Sequence, residues 1–510
     1  MNSTFKTFAL KNNYDAAVIG ILGAFLIFLY TRHGGIGLKP DSIVYLSAAR
    51  SAASGSGFFE FEGIPLTDFP LGYSAFLGII LFISKIDILQ SAHIINMILY
   101  FVLIYVSGGI INEFTRKNQW IKIPFLVLIA LSPILLNVYI YLISETVFLV
   151  MTLLFFVEFK KYGKDKTIKN LIIVAVIAGV SCLIRYAGVT LIGVGGLLIL
   201  FDQKLEIKKK IGHLLLYGLI GLTFLMGNLL RNYLIVNTLT GPRESSITSL
   251  FENIKNYTIV LGDFFKYTYL PFELVFLIGS AIFIFYIFTF VFHVTKSEKY
   301  YNFLSISVSF FIVYSLFIVF LATFSRFDKL DMRLLSPLFL PGLFPFVFAV
   351  EWLISTFKNR IKYSLISICV VIFCITIYYQ YNDNSNLYTL AQNAGIPGYA
   401  EDVWKKSEIL NYLKNNDKVF NSESKIYSNR NEAIWLFTNI KSDLIPHNEY
   451  ENEILEFNDN QKIDYYIVWF NDKIDLELFS LEKLLKEYKL VELKSLSDGK
   501  ILYHNGTDDK

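Results

Sequence analysis

The sequence predicts a polytopic α-helical membrane protein with a small α/β domain at its C-terminal end. Three observations carry that reading. The 510-residue chain is 54% hydrophobic and only 17% charged, whereas a soluble domain is about a quarter charged. Its mean hydropathy is +0.49. The charge is also unevenly placed: 38 of the 89 charged residues fall after residue 380, and the net charge is +11 up to that point and −8 beyond it. Lipid is therefore the expected solvent of residues 1–380 and water that of residues 381–510. This composition argues against a cytosolic globular enzyme. A nucleic-acid binder is equally out of place, because its basic residues should cluster on a folded surface, and here they sit between apolar runs.

An apolar run needs roughly 20 residues to cross a bilayer. Eleven candidates fall near 14–31, 92–112, 122–142, 146–160, 171–186, 187–201, 213–235, 271–293, 302–322, 334–354 and 363–380. The first follows Lys6 and Lys11 and is not succeeded by a small-residue cleavage site, so it reads as a retained anchor. A shorter run at 70–84 opens on Pro-Leu-Gly and suits a helix lying at the interface. With the N-terminus inside, the connections 113–121, 160–170, 202–212, 294–301 and 355–362 gather Lys and Arg as cytoplasmic loops do. An odd span count then places the tail outside. Its boundary is the polar run 381–386. Within the tail, helical patterns at 401–415 and 479–488 alternate with strand-like runs at 425–428, 465–470 and 499–504, the pattern of an α/β domain. Cys182, Cys369 and Cys374 lie inside apolar runs, so neither a disulfide framework nor a metal-ligand spacing is available. The Ile/Asn/Lys-rich vocabulary points to an AT-rich bacterial genome, and so to a bacterial inner (plasma) membrane.

Three outward loops, 32–91, about 232–270 and 323–333, exceed what a connection needs, and such loops are usually functional or disordered. In the first, Asp41 follows Pro40 and opens an amphipathic helix with apolar positions at 43, 44, 46, 49, 52 and 53. It can serve as the helix N-cap. It can equally present a carboxylate at the membrane surface beside the glycine-rich turn 34–37. Glu145 follows Ser144 at the outer start of a span, where the helix dipole favours it but an acid at the hydrocarbon edge is costly and often functional. The outward basic residues are Arg185, Arg231, Arg243, Arg326 and Arg333. Snorkelling accounts for Arg231 and Arg333 at span ends; Arg243, on the turn after Gly241-Pro242, lacks that explanation. Arginines around an outward cavity suit a phosphate, whose oxygens guanidinium binds in pairs. A Gly-x-x-x-x-Gly-Lys loop, an Asp-x-Asp pair and a His-x-x-x-His pair are all missing from the sequence.

These features in this order resemble the GT-C superfamily of integral-membrane glycosyltransferases, in particular the branch of protein O-mannosyltransferases and lipid A aminoarabinose transferases. The resemblance covers most of residues 10–380. Pro40-Asp41-Ser42-Ile43-Val44-Tyr45 is similar to the family's first-loop acid motif, which implies Asp41 as catalytic carboxylate. Ser144-Glu145 is similar to the acid of the second outer loop. Arg231-Asn232-Tyr233 with Gly241-Pro242-Arg243 resembles the loop that helps to hold the donor phosphate. Arg333-Leu334-Leu335-Ser336-Pro337 resembles the family's Arg-Tyr-Leu-Leu-Pro, with Leu334 in place of the tyrosine. Phe69-Pro70-Leu71-Gly72-Tyr73 loosely resembles a Pro-Pro-Leu-Tyr-Pro stretch, and Phe69 stands where the aminoarabinose transferases have a lysine.

The resemblance implies transfer of a sugar from a polyprenyl-phosphate donor to a hydroxyl acceptor at the outer membrane face. Asp41 would be the base and Glu145 a second acid positioning acceptor or donor headgroup. Arg243, Arg333 and Arg231 would hold the donor phosphate. A lipid phosphate has a second pKa near ~6 and can leave without a general acid, so a single carboxylate base suffices. Glycosidases, in contrast, need a pair. Attack opposite the leaving group predicts inversion at the anomeric carbon. Some relatives use a divalent ion near these acids, although no dedicated ligand cluster is visible in the sequence. The competing readings are a lipid-linked glycan flippase or polymerase, and a non-enzymatic membrane scaffold.

Overall fold

A computed structural model describes residues 13–116, 118–241, 245–246, 248–264, 271–296, 301–325, 329–416, 419–421, 424–471 and 477–506. The chain opens with α1 (Tyr14–Thr31), followed by α2 (Pro40–Ala53), α3 (Leu71–Ser84) and α4 (Ile88–Phe114). Next come α5 (Gln119–Ala130) and α6 (Pro133–Tyr139), which are bent by 49° relative to one another. Pro133 explains the bend, since it has no N–H to donate and pushes Ser132 out of helical geometry. The series continues with α7 (Glu145–Asp165), α8 (Ile168–Ile184), α9 (Val189–Leu200), α10 (Ile207–Val236), α11 (Leu250–Asp263), α12 (Phe272–Lys296), α13 (Phe303–Phe324), α14 (Met332–Leu335), α15 (Phe339–Thr356) and α16 (Asn359–Ala394).

Among the described residues, seven helical stretches are long and apolar enough to cross a membrane: α1, α4, α10, most of α12, α13, α14 with α15, and most of α16. The bent α5–α6 pair makes an eighth if it is one span. The protein is thus a multi-pass membrane protein. The expected count of eleven does not follow from helix length and composition. In α7, Glu158, Lys160 and Lys161 interrupt the apolar run, and α8 and α9 have only 17 and 12 residues.

Lipid supplies no hydrophobic force between helices, so close packing at small residues must hold them together. A Cβ added at Gly23 of α1 would lie 2.4 Å from Ile104 of α4, and one at Gly108 of α4 would lie 2.3 Å from the Ala16 methyl. The outward faces are apolar, as that solvent requires: Leu219, Ile284 and Val371 are all exposed. One expectation is corrected in α2. Instead of burying a single apolar stripe, it buries polar positions as well, with Ser42, Ile43, Tyr45, Leu46, Ser47, Ala48 and Ala49 all buried.

The tail comprises α17 (Asp402–Lys405), α18 (Glu408–Asn415), β1 (Lys425–Ser428), α19 (Asn431–Thr438), β2 (Asp443–Leu444), α20 (Glu451–Asp459), β3 (Tyr465–Phe470), α21 (Leu481–Glu487), β4 (Val491–Leu496) and β5 (Gly499–His504). The sheet order is β2-β1-β3-β5-β4. Strand β1 is parallel to β2 and β3, while β5 is antiparallel to β3 and β4. The apolar run of β3 suits its central, buried place. The edge strand β4 carries Glu492 and Lys494, charges of the kind that blunt an open edge. The polar run 381–386 is no break in secondary structure, because α16 continues through it to Ala394. The run finds partners along the bundle rim: the Asn384 side-chain amide donates to the Leu131 carbonyl (2.8 Å), and Tyr30 donates to the Asn384 backbone carbonyl (2.9 Å).

The tail is seated on the first long connection. The Tyr399 N–H donates to the Leu38 carbonyl at 2.9 Å, and Asn431 donates to Glu62 at 2.7 Å. The Arg50 guanidinium lies 5.7 Å from the centre of the Trp435 ring. Gly398 makes this approach possible, since it has φ +111° and a Cβ there would sit 2.3 Å from the Leu38 oxygen.

Acids crowd the same junction. Burial first, and then the charges of Asp68 and Glu62, push the Glu60 carboxyl up to about 8. Burial, with Asp443 and Glu432, pushes Glu62 up to about 7. An acid whose folded pKa is raised stabilises the fold fully below its unfolded value near 4.5, and loses that contribution as pH rises through the folded value. The melting temperature should therefore fall between pH 5 and 8.5, and Glu60→Gln/Glu62→Gln should flatten the fall. Equal slopes for wild type and double variant would remove these two acids as its source.

Candidate active site

Four distant parts of the chain meet at the start of α2. Asp41 is the second residue of that helix. The helix is capped by Lys39, whose N–H donates to the Ser42 hydroxyl at 2.9 Å. The capping expectation for Asp41 is thus corrected: Pro40, suited to a first helical position by its fixed φ, moves the cap back to Lys39. The Asp41 carboxylate is free to point elsewhere, and it accepts from Arg333 Nη1 at 2.7 Å. Its side chain remains 26% accessible, against 16% for Arg333.

Glu145 is the first residue of α7 and is only 1% exposed. Its Oε2 lies 2.6 Å from Arg185 Nη1 and its Oε1 lies 3.6 Å from Arg333 Nε. Arg185 ends α8 in an extended conformation, with φ −149° and ψ 141°. It also donates to the Ser144 hydroxyl at 2.9 Å, which is itself 3.2 Å from the Tyr45 hydroxyl. The result is a continuous chain of alternating charge, Asp41–Arg333–Glu145–Arg185. An isolated buried carboxylate would be very costly; two guanidinium partners offset that cost.

The backbone fixes these partners. Gly37 donates to the Ile140 carbonyl (2.8 Å) and accepts from Leu142 (3.0 Å), tying the segment before Asp41 to the segment before Glu145. Arg333 sits in the short α14, where Asp331 accepts from the Leu334 N–H at 2.8 Å and the Tyr314 hydroxyl donates to the Leu334 carbonyl at 2.8 Å.

Lys39 shares this environment. Its ammonium lies 4.8 Å from the centre of the Tyr141 ring. Burial, and next the Arg333 charge, hold its pKa below the ordinary lysine value, with Asp331, Glu145 and Asp41 opposing. The tail contributes Glu432, which accepts from the Tyr399 hydroxyl at 2.9 Å. Its carboxyl is raised by burial, with the Asp41 charge among the smaller causes.

Of the five residues expected from sequence, Asp41, Glu145 and Arg333 come together. Arg231 does not join them: its guanidinium donates to the Leu66 carbonyl (2.6 Å) and to Asn232 (3.0 Å), and Asn232 in turn holds the Thr67 carbonyl at 2.9 Å. That pair fastens the segment ahead of α3. Arg243 lies outside the described residues, as does Arg326, although Gly241, two residues before Arg243, packs directly on Asp68. Phe69 packs edge-on against Tyr45, with ring centres 5.0 Å apart. Sequence reasoning assigned no role to Lys39 or Arg185. The signals were present: a lysine directly before Pro40-Asp41, and an arginine between two apolar runs. Among the described residues, no three His, Cys, Asp or Glu side chains converge as a metal-ligand set.

Separately, an apolar cavity of about 480 Å³ lies between α5, α12, α15 and α16, lined by residues including Trp120, Phe125, Ile282, Phe339 and Phe373. Gln380 and Thr376 are polar residues in its lining. Phe339 is six residues beyond Arg333.

No family model matches the chain, and no curated protein matches it by sequence. Solved structures do. ArnT from Cupriavidus metallidurans in the apo state superposes with a TM-score of 0.53 at 11% identity, over 96% of this chain and 98% of that one. The oligosaccharyltransferase AglB from Archaeoglobus fulgidus, in complex with an inhibitory peptide and a dolichol-phosphate, gives 0.54 at 11% identity over 92% of this chain and 70% of its own. Residue identity this low speaks to architecture alone, and along nearly the whole chain the fold is the one these two solved proteins share.

Proposed function

We propose that this protein is a glycosyltransferase that moves a sugar from a polyprenyl-phosphate donor to a hydroxyl acceptor, with its site on the outer face of a bacterial inner membrane. The observation that carries the reading is the Asp41–Arg333–Glu145–Arg185 chain. It combines an accessible carboxylate with guanidinium groups at one end of an apolar bundle. Asp41 accepts a hydrogen bond from Arg333 at 2.7 Å and keeps part of its side chain accessible to an incoming hydroxyl. As an acceptor hydroxyl attacks the anomeric carbon, Asp41 takes its proton and the bond to the lipid phosphate breaks. Arg333, released toward that phosphate, stabilises the charge gathering on it. Glu145 is buried, so its positioning role works through the two arginines. Arg243 and Arg231 remain candidates for the donor side.

The apolar cavity suits the donor's prenyl chain, since a long hydrocarbon needs a slot between helices while its headgroup stays at the charged rim. AglB, which shares this fold, was solved with a dolichol-phosphate. The test is turnover of polyprenyl-phosphate-linked sugars by the purified protein in lipid. Polyprenyl phosphate should be released and the product should carry the inverted anomeric configuration. A retained configuration would overturn the single-displacement chemistry.

A further inference from the structure

We propose that Lys39 is a second phosphate-binding residue of this site, which grips a phosphomonoester anion together with Arg333. The inference rests on the reading that a phosphate enters this cluster, and it adds a residue for which neither the sequence motifs nor the fold assign a role.

Charge matching is the first argument. Asp41 is already engaged by Arg333, and Glu145 by Arg185 and Arg333. Among the described residues no carboxylate lies within ion-pair distance of the Lys39 ammonium; it is held over the Tyr141 ring at 4.8 Å. A cation–π contact of this kind is weak beside a charge-assisted hydrogen bond to an anion. It therefore parks the ammonium without satisfying its three donors.

Position is the second argument. Lys39 is the cap of the helix that carries Asp41, two residues from the proposed base. It is pinned there by the Ser42 hydroxyl at its N–H and by the Tyr399 N–H on the preceding Leu38 carbonyl. The groups that bear on its charge are Arg333, Asp331, Glu145 and Asp41. Of these, the Arg333 cation penalises the ammonium, and an arriving dianion would offset that penalty. Phe69, packed against the Tyr45 ring, offers no charge.

The experiment measures binding of two probes to the purified full chain in nanodiscs: polyprenyl phosphate in the bilayer and inorganic phosphate in solution. Wild type is compared with Lys39→Met and Lys39→Arg. Loss of one charge-assisted hydrogen bond should weaken polyprenyl-phosphate binding about 10- to 100-fold in Lys39→Met, and Lys39→Arg should restore most of it. A merely structural lysine would not produce the second signature. Because the ammonium is the binding form, wild-type affinity should fall as pH rises through its lowered pKa, and Lys39→Arg should abolish that fall.

The outcomes separate the claims. Equal binding by Lys39→Met and wild type would overturn the role of Lys39 and leave the donor reading intact. Phosphate binding that depends on Lys39, with no binding of the lipid, would support Lys39 and overturn the lipid donor. Binding of neither probe by wild type would overturn both.

Discussion

Asp41→Asn should lower sugar transfer about 10²- to 10⁴-fold, the usual contribution of a positioned general base. The substitution is nearly isosteric and keeps an oxygen for Arg333, which lies 2.7 Å away in the native protein. Arg333 also retains Glu145, at 3.6 Å, so the fold should survive. The expected result is a collapse in kcat with a melting temperature close to that of wild type and donor binding still measurable. Transfer within about threefold of wild type would remove Asp41 as the base.

The second large effect concerns stability. Arg185→Met leaves Glu145, 1% exposed, without its 2.6 Å partner and with only the more distant Arg333. Removing one member of a buried ion pair costs about 3–5 kcal/mol, because the remaining charge is uncompensated. A sharp drop in melting temperature in detergent is expected. Arg185→Met/Glu145→Gln should recover a good part of it, since the neutral amide no longer needs a countercharge. A single variant as stable as wild type would show that Glu145 is held by something else.

Much of this architecture could be read from the sequence, for reasons that differ between its parts. Apolar runs of sufficient length report membrane-spanning helices directly, and the charged tail after residue 380 carries the five-stranded sheet. The run 381–386 is helical although asparagine favours caps and turns over helix interiors. Here Asn384 sits at a bundle rim where the Leu131 carbonyl accepts its amide. The strand β4 gave little signal, because an exposed edge alternates weakly: Val491, Glu492, Leu493 and Lys494 are all exposed. In α2 the apolar spacing was right and its meaning was not. This helix buries two of its serines as well as its isoleucine.

For the site, Asp41, Glu145 and Arg333 were legible because each stands at the end of an apolar run, where an ionisable residue needs a reason. That they meet was not legible, since 292 positions separate Asp41 from Arg333. Arg231 looked equivalent to Arg333 in sequence, yet its Nη1 donates to the Leu66 carbonyl and to Asn232, away from Asp41 and Glu145. Only the packing of the first long connection distinguishes the two.

The central claim is the use of a lipid-phosphate sugar as donor, and the most direct measurement is release of polyprenyl phosphate from a polyprenyl-phosphate-linked sugar by the purified full chain in proteoliposomes. Release by wild type that is lost in folded Asp41→Asn is the result expected here. Failure of wild type to bind or turn over any polyprenyl-phosphate sugar, in vesicles where the protein is demonstrably folded, would contradict the account.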